Sequence, residues 1–136
     1  MRIAIPIWGN KISPLLDTAS RLLIVELGAE GETSRYQILL DEANISRRSL
    51  RIRSLNIDTL ICGAVSRPFF RMLLSAGIDI IPDISGDPEN VLKAYLNGDI
   101  FHSKFMMPGC RRRRLGHENW KRSPQKIFFM KRKRKS

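Results

Sequence analysis

The chain has 136 residues and a formal net charge of +11, which leaves room for one ordinary domain but not for two independent cores. Residues 1–100 hold 11 Lys/Arg and 12 Asp/Glu, whereas residues 101–136 hold 13 Lys/Arg and a single acid, Glu118. No apolar run approaches the about 20 residues of a membrane span, and the start lacks the long apolar region of a secretory signal. We therefore expect a cytoplasmic protein with a folded domain over 1–100 and a basic, largely disordered tail over 101–136.

Three strands are predicted in the first forty residues. Isoleucines recur at every second position of segment 2–7, which indicates a strand with one apolar face. Two further apolar runs, 22–25 and 36–40, are separated by two glycines. They are predicted to pair antiparallel through a glycine-containing turn.

The pattern then changes to that of a helix. The helix is predicted to begin near Ile45, with Ser46 as its N-cap. Its solvent face is predicted to consist of Arg47, Arg48 and Arg51.

Two strand and helix pairs complete the domain. A strand at 59–62 precedes a helix capped by Ser66. A strand at 78–81 precedes a helix that is capped by Asp87, has a proline at its first position and ends at Gly98. This order predicts an α/β fold with a mixed five-stranded sheet and three helices, followed by a flexible basic C-terminal tail. A ribonuclease-H-like topology is one such arrangement.

Catalysis is not supported by the distribution of acidic and histidine residues. A two-metal nuclease needs several carboxylates that converge on a pair of cations, and the first strand contains none. Both histidines fall in the tail region, which leaves no hydrolytic triad. The sequence therefore predicts a protein that is not an enzyme and has no catalytic residues. Four acids are predicted to act as turn and cap residues instead: Asp17, Asp58, Asp83 and Asp87.

Cys62 lies where a parallel strand meets a helix, within segment 60–68. Open α/β sheets bind ligands at the carboxyl ends of their strands, where helix N-termini attract anions. Gly63 would allow another group to approach the backbone closely. Cysteine is also among the most buried residue types, so a purely structural role for Cys62 is the alternative.

A second cysteine, Cys110, precedes four arginines at 111–114. Their positive field favours the thiolate, which suits soft-metal ligation or redox reactivity. His102 and His117 lie nearby in the sequence. The alternative is a cysteine that occurs by chance in a disordered basic arm, because neither cysteine belongs to a CxxC pair.

Several short motifs give the chain a family resemblance. They are segment 1–6, segment 12–14 followed by Asp17, the turn 61–64, the strand entry 77–78, Gly86, the helix 91–98 and the ending 105–110. In order and spacing, over about residues 1–110, they resemble the NifB/NifX-type dinitrogenase iron-molybdenum cofactor biosynthesis family.

The resemblance implies a ribonuclease-H-like fold without nuclease activity. It also implies binding or carriage of an iron–sulfur or iron-molybdenum cluster precursor between metallocofactor assembly proteins. Such clusters are anionic and require soft thiolate or imidazole ligands. We expect the cofactor-binding residues to be Cys62, Gly63, Ala64, Ser66, Arg67, Cys110 and Arg111, and the metal ligands to be Cys62, Cys110, His102 and His117.

An alternative function is a nucleic-acid or acidic-partner binding module that uses the basic tail. The tail places Trp120, Phe128 and Phe129 among its cations, an interleaving that suits bases stacking on aromatic rings.

Overall fold

The strand β1 (Arg2–Trp8) lies at the centre of a mixed sheet in the computed structural model, which describes residues 1–98, 100, 105 and 107. β1 is flanked on one side by β3 (Arg21–Gly28), which pairs antiparallel, and on the other by β5 (Thr59–Ile61), which pairs parallel. The outer strands are β4 (Gly31–Leu39) and β6 (Asp79–Ile81). The resulting strand order is β4-β3-β1-β5-β6.

Three helices connect and cover the strands: α1 (Ile45–Ser54), α2 (Arg67–Ser75) and α3 (Pro88–Asn97). The three helices and the mixed α/β sheet agree with the prediction. None of the helices in the described part of the chain is long and apolar enough to cross a membrane.

The predicted number of strands was wrong, because the sheet of the described residues has six strands rather than five. The additional strand, β2 (Lys11–Ile12), pairs antiparallel with the end of β1 through Ile12 and Ile7. Its turn includes Gly9, whose φ of 63° is left-handed. A strand of two residues is too short to produce a period-two pattern, so the sequence contains no periodic signal for it.

Side chains of the sheet form two apolar clusters, one on each face. The cluster beneath α3 contains Ile5, Val25, Ile81 and Val91, and it also includes Phe105 from the predicted tail. The cluster beneath α1 and α2 contains Leu22, Ile24, Leu60, Cys62, Phe69 and Leu73. Because alternate residues of β5 and its continuation point to opposite faces, Ile61 belongs to the first cluster and Cys62 to the second.

The N-cap of α1 is Asn44 rather than the predicted Ser46. Its side chain accepts a hydrogen bond from the backbone N–H of Arg47 at 2.9 Å. Arg48 lies on the buried face of the helix and is only 8% exposed, contrary to the prediction. Its Nη1 donates to the carbonyl oxygen of Ala19 at 2.6 Å, and its Nε donates to that of Glu42 at 2.9 Å.

We expect Arg48→Ala to lower the free energy of unfolding by about 2 kcal/mol, because two partly enclosed carbonyl oxygens lose a charged donor. The neighbouring exposed Arg47 is the control, and Arg47→Ala should cost less than about 0.5 kcal/mol. Urea unfolding of the two variants measures both values. Equal losses would contradict a structural role for the Arg48 guanidinium.

The boundary between the domain (1–100) and the tail (101–136) stays a prediction, because most of 101–136 lies outside the described residues. Phe105 and Met107 are described, and both contact the folded body. Among the described residues, all members of the two apolar clusters precede position 106.

Deletion of residues 115–136 should therefore leave the folded domain intact. We expect the midpoint of thermal unfolding to stay within about 2 °C of the full-length value. A deletion that begins at residue 104 is the control, and it should lower the midpoint because it removes buried Phe105. A large fall for the shorter deletion would indicate that the tail packs on the body.

Candidate functional site at the carboxyl edge of the sheet

Three loops meet at the edge of the sheet where β5 and β6 end. The first loop follows β2, and its residue Leu15 forms an isolated parallel bridge with Ala64, which follows β5. Two hydrogen bonds of 2.8 Å join these loops: Leu16 N–H donates to the carbonyl oxygen of Ala64, and Ala64 N–H donates to that of Pro14. The backbone of residues 14–16 thus continues the sheet beyond the end of β5.

Gly63 lies at the closest point between the two loops. A Cβ atom on Gly63 would be 2.6 Å from the carbonyl oxygen of Ser13 and 2.8 Å from that of Pro14. Such distances are too short for a side chain, and both neighbours are backbone atoms that cannot rotate away. The group that approaches Gly63 closely is therefore the chain's own backbone.

The third loop follows β6 and is hydrogen-bonded to both others. Asp83 N–H donates to the carbonyl oxygen of Gly63, and Ile84 N–H donates to that of Cys62, both at 2.9 Å. Ile12 N–H donates to Gly86 at 3.0 Å. These bonds join the three loops into one backbone network.

The chain returns to this network after α3. Ser85 N–H donates to the carbonyl oxygen of Phe105 at 2.8 Å, and Met107 N–H donates to that of Asp83 at 2.9 Å. Sequence reasoning did not locate this contact. The signal in the sequence is Phe105, an apolar residue that follows the polar end of α3.

Cys62 is fully buried beneath this network, in the apolar cluster on the α1 and α2 side. Burial raises the pKa of its thiol well above the ordinary value, and the nearby carboxylates of Asp83 and Asp17 raise it further. The thiol is therefore neutral at pH 7. Ligation of a metal by Cys62 requires both loss of the thiol proton and movement of the covering loops.

The N-terminus of α2 lies beside Cys62 and already has an anionic partner. The Oδ1 atom of Asp17 accepts a hydrogen bond from the backbone N–H of Ser66 at 2.9 Å. Ser66 is the N-cap residue, as predicted, but its hydroxyl forms no cap bond and its buried Oγ has no partner among the described residues. The carboxylate of Asp17 supplies the cap instead.

Two of the other acids named from the sequence also bind backbone N–H groups. Asp58 accepts from Arg2 at 2.8 Å, and Asp87 accepts from Glu89 at the start of α3 at 2.8 Å. Asp83 is buried and adopts a left-handed φ of 66°. Within residues 1–98, 100, 105 and 107, no group of three or more His, Cys, Asp or Glu side chains is placed to hold a metal ion.

Of the predicted site, the structure brings Cys62, Gly63, Ala64, Ser66 and Arg67 together at this edge, where Arg67 is exposed. The other predicted site residues lie outside the described residues: His102, Cys110, Arg111 and His117. Sequence reasoning missed Trp8, which ends β1 at the same edge and is 72% exposed. A large aromatic side chain with this exposure is a candidate contact for a ligand or partner.

Comparison with known proteins assigns this architecture to an established group. Residues 1–98 match the sequence model of the family described as dinitrogenase iron-molybdenum cofactor. A search of curated proteins found no match.

Three solved structures illustrate the similarity in fold. A proposed dinitrogenase from Methanocaldococcus jannaschii is 23% identical, covers 73% of this chain and 90% of its own, and gives a TM-score of 0.62. The apo form of the orange protein from Desulfovibrio gigas is 19% identical, covers 72% of this chain and 88% of its own, and gives a TM-score of 0.60. A proposed NifB protein from Thermotoga is 19% identical, covers 72% of this chain and 89% of its own, and gives a TM-score of 0.58. At these identities the likeness concerns the fold alone.

We expect Gly63→Ala to lower the free energy of unfolding by about 2 kcal/mol or more, because the added methyl group forces the Ser13 and Pro14 carbonyls away. The control is Gly77→Asn, since a Cβ at Gly77 meets no atom within 4 Å and Asn tolerates its left-handed φ of 85°. Urea unfolding compares the two. A Gly63→Ala variant as stable as the control would show that the loops are not tightly joined in solution.

Proposed function

The chain belongs to the dinitrogenase iron-molybdenum cofactor family, and on that premise we propose that it binds a cluster precursor and carries it between metallocofactor assembly proteins. The cargo class is an iron–sulfur or iron-molybdenum cluster, bound without enzymatic turnover. The place of binding is the carboxyl edge of the sheet, where the loops after β2, β5 and β6 meet.

The observation that carries this proposal is the return of the chain to that edge at Met107, whose N–H donates to Asp83 at 2.9 Å. Asp83 in turn donates to Gly63, the residue after Cys62. Cys110 is three residues beyond Met107, and three extended residues span about 10 Å. The length of the chain therefore allows the second thiol to reach the loop that contains the first.

An incomplete set of ligands is appropriate to a carrier. A closed cage of four protein ligands holds a metal centre permanently, whereas a cargo that is handed on needs open positions. The described residues contain no preformed group of three ligands, so in this proposal three of the four donors come from residues that follow α3. The proposed metal ligands are Cys62, Cys110, His102 and His117, and four side chains leave open positions on a cluster that contains several metal atoms.

Cys62 joins the site only when the loops over it open. Ligation replaces the thiol proton with iron, and burial together with two carboxylates holds the pKa of that thiol above its ordinary value. Protons therefore compete strongly with the metal at this residue. Loading through Cys62 should increase as the pH rises.

The remaining proposed contacts lie at the carboxyl edge of the sheet, around the three loops. Once the loops open, Gly63, Ala64 and Ser66 would offer the backbone groups that bind Asp83, Pro14 and Asp17 in the closed arrangement. Arg67 and Arg111 would offset the negative charge of a metal–sulfide cluster. We further propose that the fold has the ribonuclease-H-like topology, with β2 as an addition to the five-stranded order, and that the protein acts in the cytoplasm.

We predict that Cys62→Ala and Cys110→Ala each lower the iron content after anaerobic reconstitution with iron and sulfide. If the two thiols bind one cluster, the double variant should lose little more than the worse single variant, because ligands of one site act as a unit. Iron analysis and sulfur-to-iron charge-transfer absorbance measure the outcome.

The unfolding midpoint of each metal-free variant is the folding control, since Cys62 is part of the apolar core. Additive losses of iron would indicate two separate sites. Full iron content in both single variants would contradict the proposed ligands and leave Cys62 as a core residue.

A further inference from the structure

A groove of about 430 Å³ lies between α2 and the end of β6. Its walls are Val65 and Pro82, from the loops after β5 and β6, together with one face of α2. That face consists of Arg67, Phe70, Arg71 and Leu74.

The last three of these residues follow Arg67 by three, four and seven positions, which places all four in one stripe along the helix. The core face of α2 is a different stripe, formed by fully buried Phe69 and Leu73. Phe70 is only partly buried and Leu74 is 48% exposed. The helix therefore presents a second stripe, interrupted by two arginines, in which Phe70 packs partly against the core cluster and Leu74 is exposed.

The two arginines of the groove have no anionic partner in the part of the chain that the structure describes. All four ion pairs found there involve other residues, namely Arg2, Arg35 and Arg51. α2 contains no acidic residue, so the groove is both apolar and positively charged.

We propose that this groove binds an acidic, apolar segment of a partner protein. Apolar side chains of that segment fill the space between Phe70, Leu74 and Pro82, while its carboxylates pair with Arg67 and Arg71. Charge argues against the chain's own C-terminal segment as the occupant, because residues 108–136 carry 12 Lys/Arg and one acid. The inference goes beyond the proposed cluster carriage and needs no bound cluster.

The test uses metal-free, full-length protein and a fluorescein-labelled peptide of about 12 residues, with leucines at helical spacing flanked by glutamates. Each groove variant has a matched control on α1: Arg71→Gln against Arg47→Gln, and Leu74→Ser against Leu50→Ser. Arg47 is exposed, and Leu50 is 60% exposed outside the groove. Because every variant retains the basic tail, weak association of the peptide with the tail is equal in all of them.

We expect Arg71→Gln to weaken binding about fivefold and Leu74→Ser about tenfold, with less than about a twofold change for either control. Replacing glutamate with glutamine in the peptide should remove the effect of Arg71→Gln. In NMR titrations, the backbone amides of Val65, Phe70 and Leu74 should shift.

Equal affinities for the groove variants and their controls would overturn the proposal, as would shifts confined to residues beyond 107. A concentration-dependent increase in mass of the protein alone, abolished by Leu74→Ser, would also overturn it. That result would identify a second copy of the chain as the occupant. Because no metal is present, failure here is distinct from failure of the iron-loading experiment.

Discussion

The missing side chain of Gly63 is the constraint on which the carboxyl edge of the sheet depends. With no Cβ in the way, the backbone of Ser13 and Pro14 packs directly against the strand end after β5. Leu15 and Ala64 can then pair in a parallel bridge. The loop after β6 completes the arrangement by donating to Gly63 from Asp83. One small residue thus allows three segments that are distant in sequence to satisfy their backbone groups with one another, as buried peptide groups require.

The same packing determines the chemistry of Cys62. A strand end that is closed by backbone hydrogen bonds excludes water from the thiol, and the carboxylates of Asp17 and Asp83 further disfavour its ionised form. Asp17 has a second effect, because it caps α2 through Ser66 and so occupies the position at which an external anion would otherwise bind. In the closed state the edge is therefore stable and unreactive. Under the proposed function, binding of a cluster through Cys62 requires the loops to open.

The elements with strong periodic signals could be predicted from the sequence, and those without could not. The isoleucines of β1, the glycine turn between β3 and β4 and the proline at the start of α3 each indicate local structure directly. β2 is too short to have a period, and the helix cap was misplaced because Asn44 and Ser46 are both acceptable N-cap residues. Arg48 was also assigned to the solvent face with the other arginines, whereas its long side chain reaches two carbonyl groups. At the site, Gly63 indicated a close approach, but its partner is 49 to 50 positions away and no local pattern encodes such a pairing.

Helix α2 connects the two proposed activities because it has one stripe for the core and another for the groove. Val65 and Pro82 line the groove, and each directly adjoins the network of the edge: Val65 follows Ala64, and Pro82 precedes Asp83. A partner segment in the groove would therefore contact the two loops that cover Cys62. Since Asp83 also binds Met107, displacement of the loop after β6 would move the point from which the chain continues to Cys110. Under the two proposals together, docking of a partner and access to the thiols depend on the same loop. Binding of the partner segment and binding of the cluster would then influence each other through a shared backbone network rather than through a distant pathway.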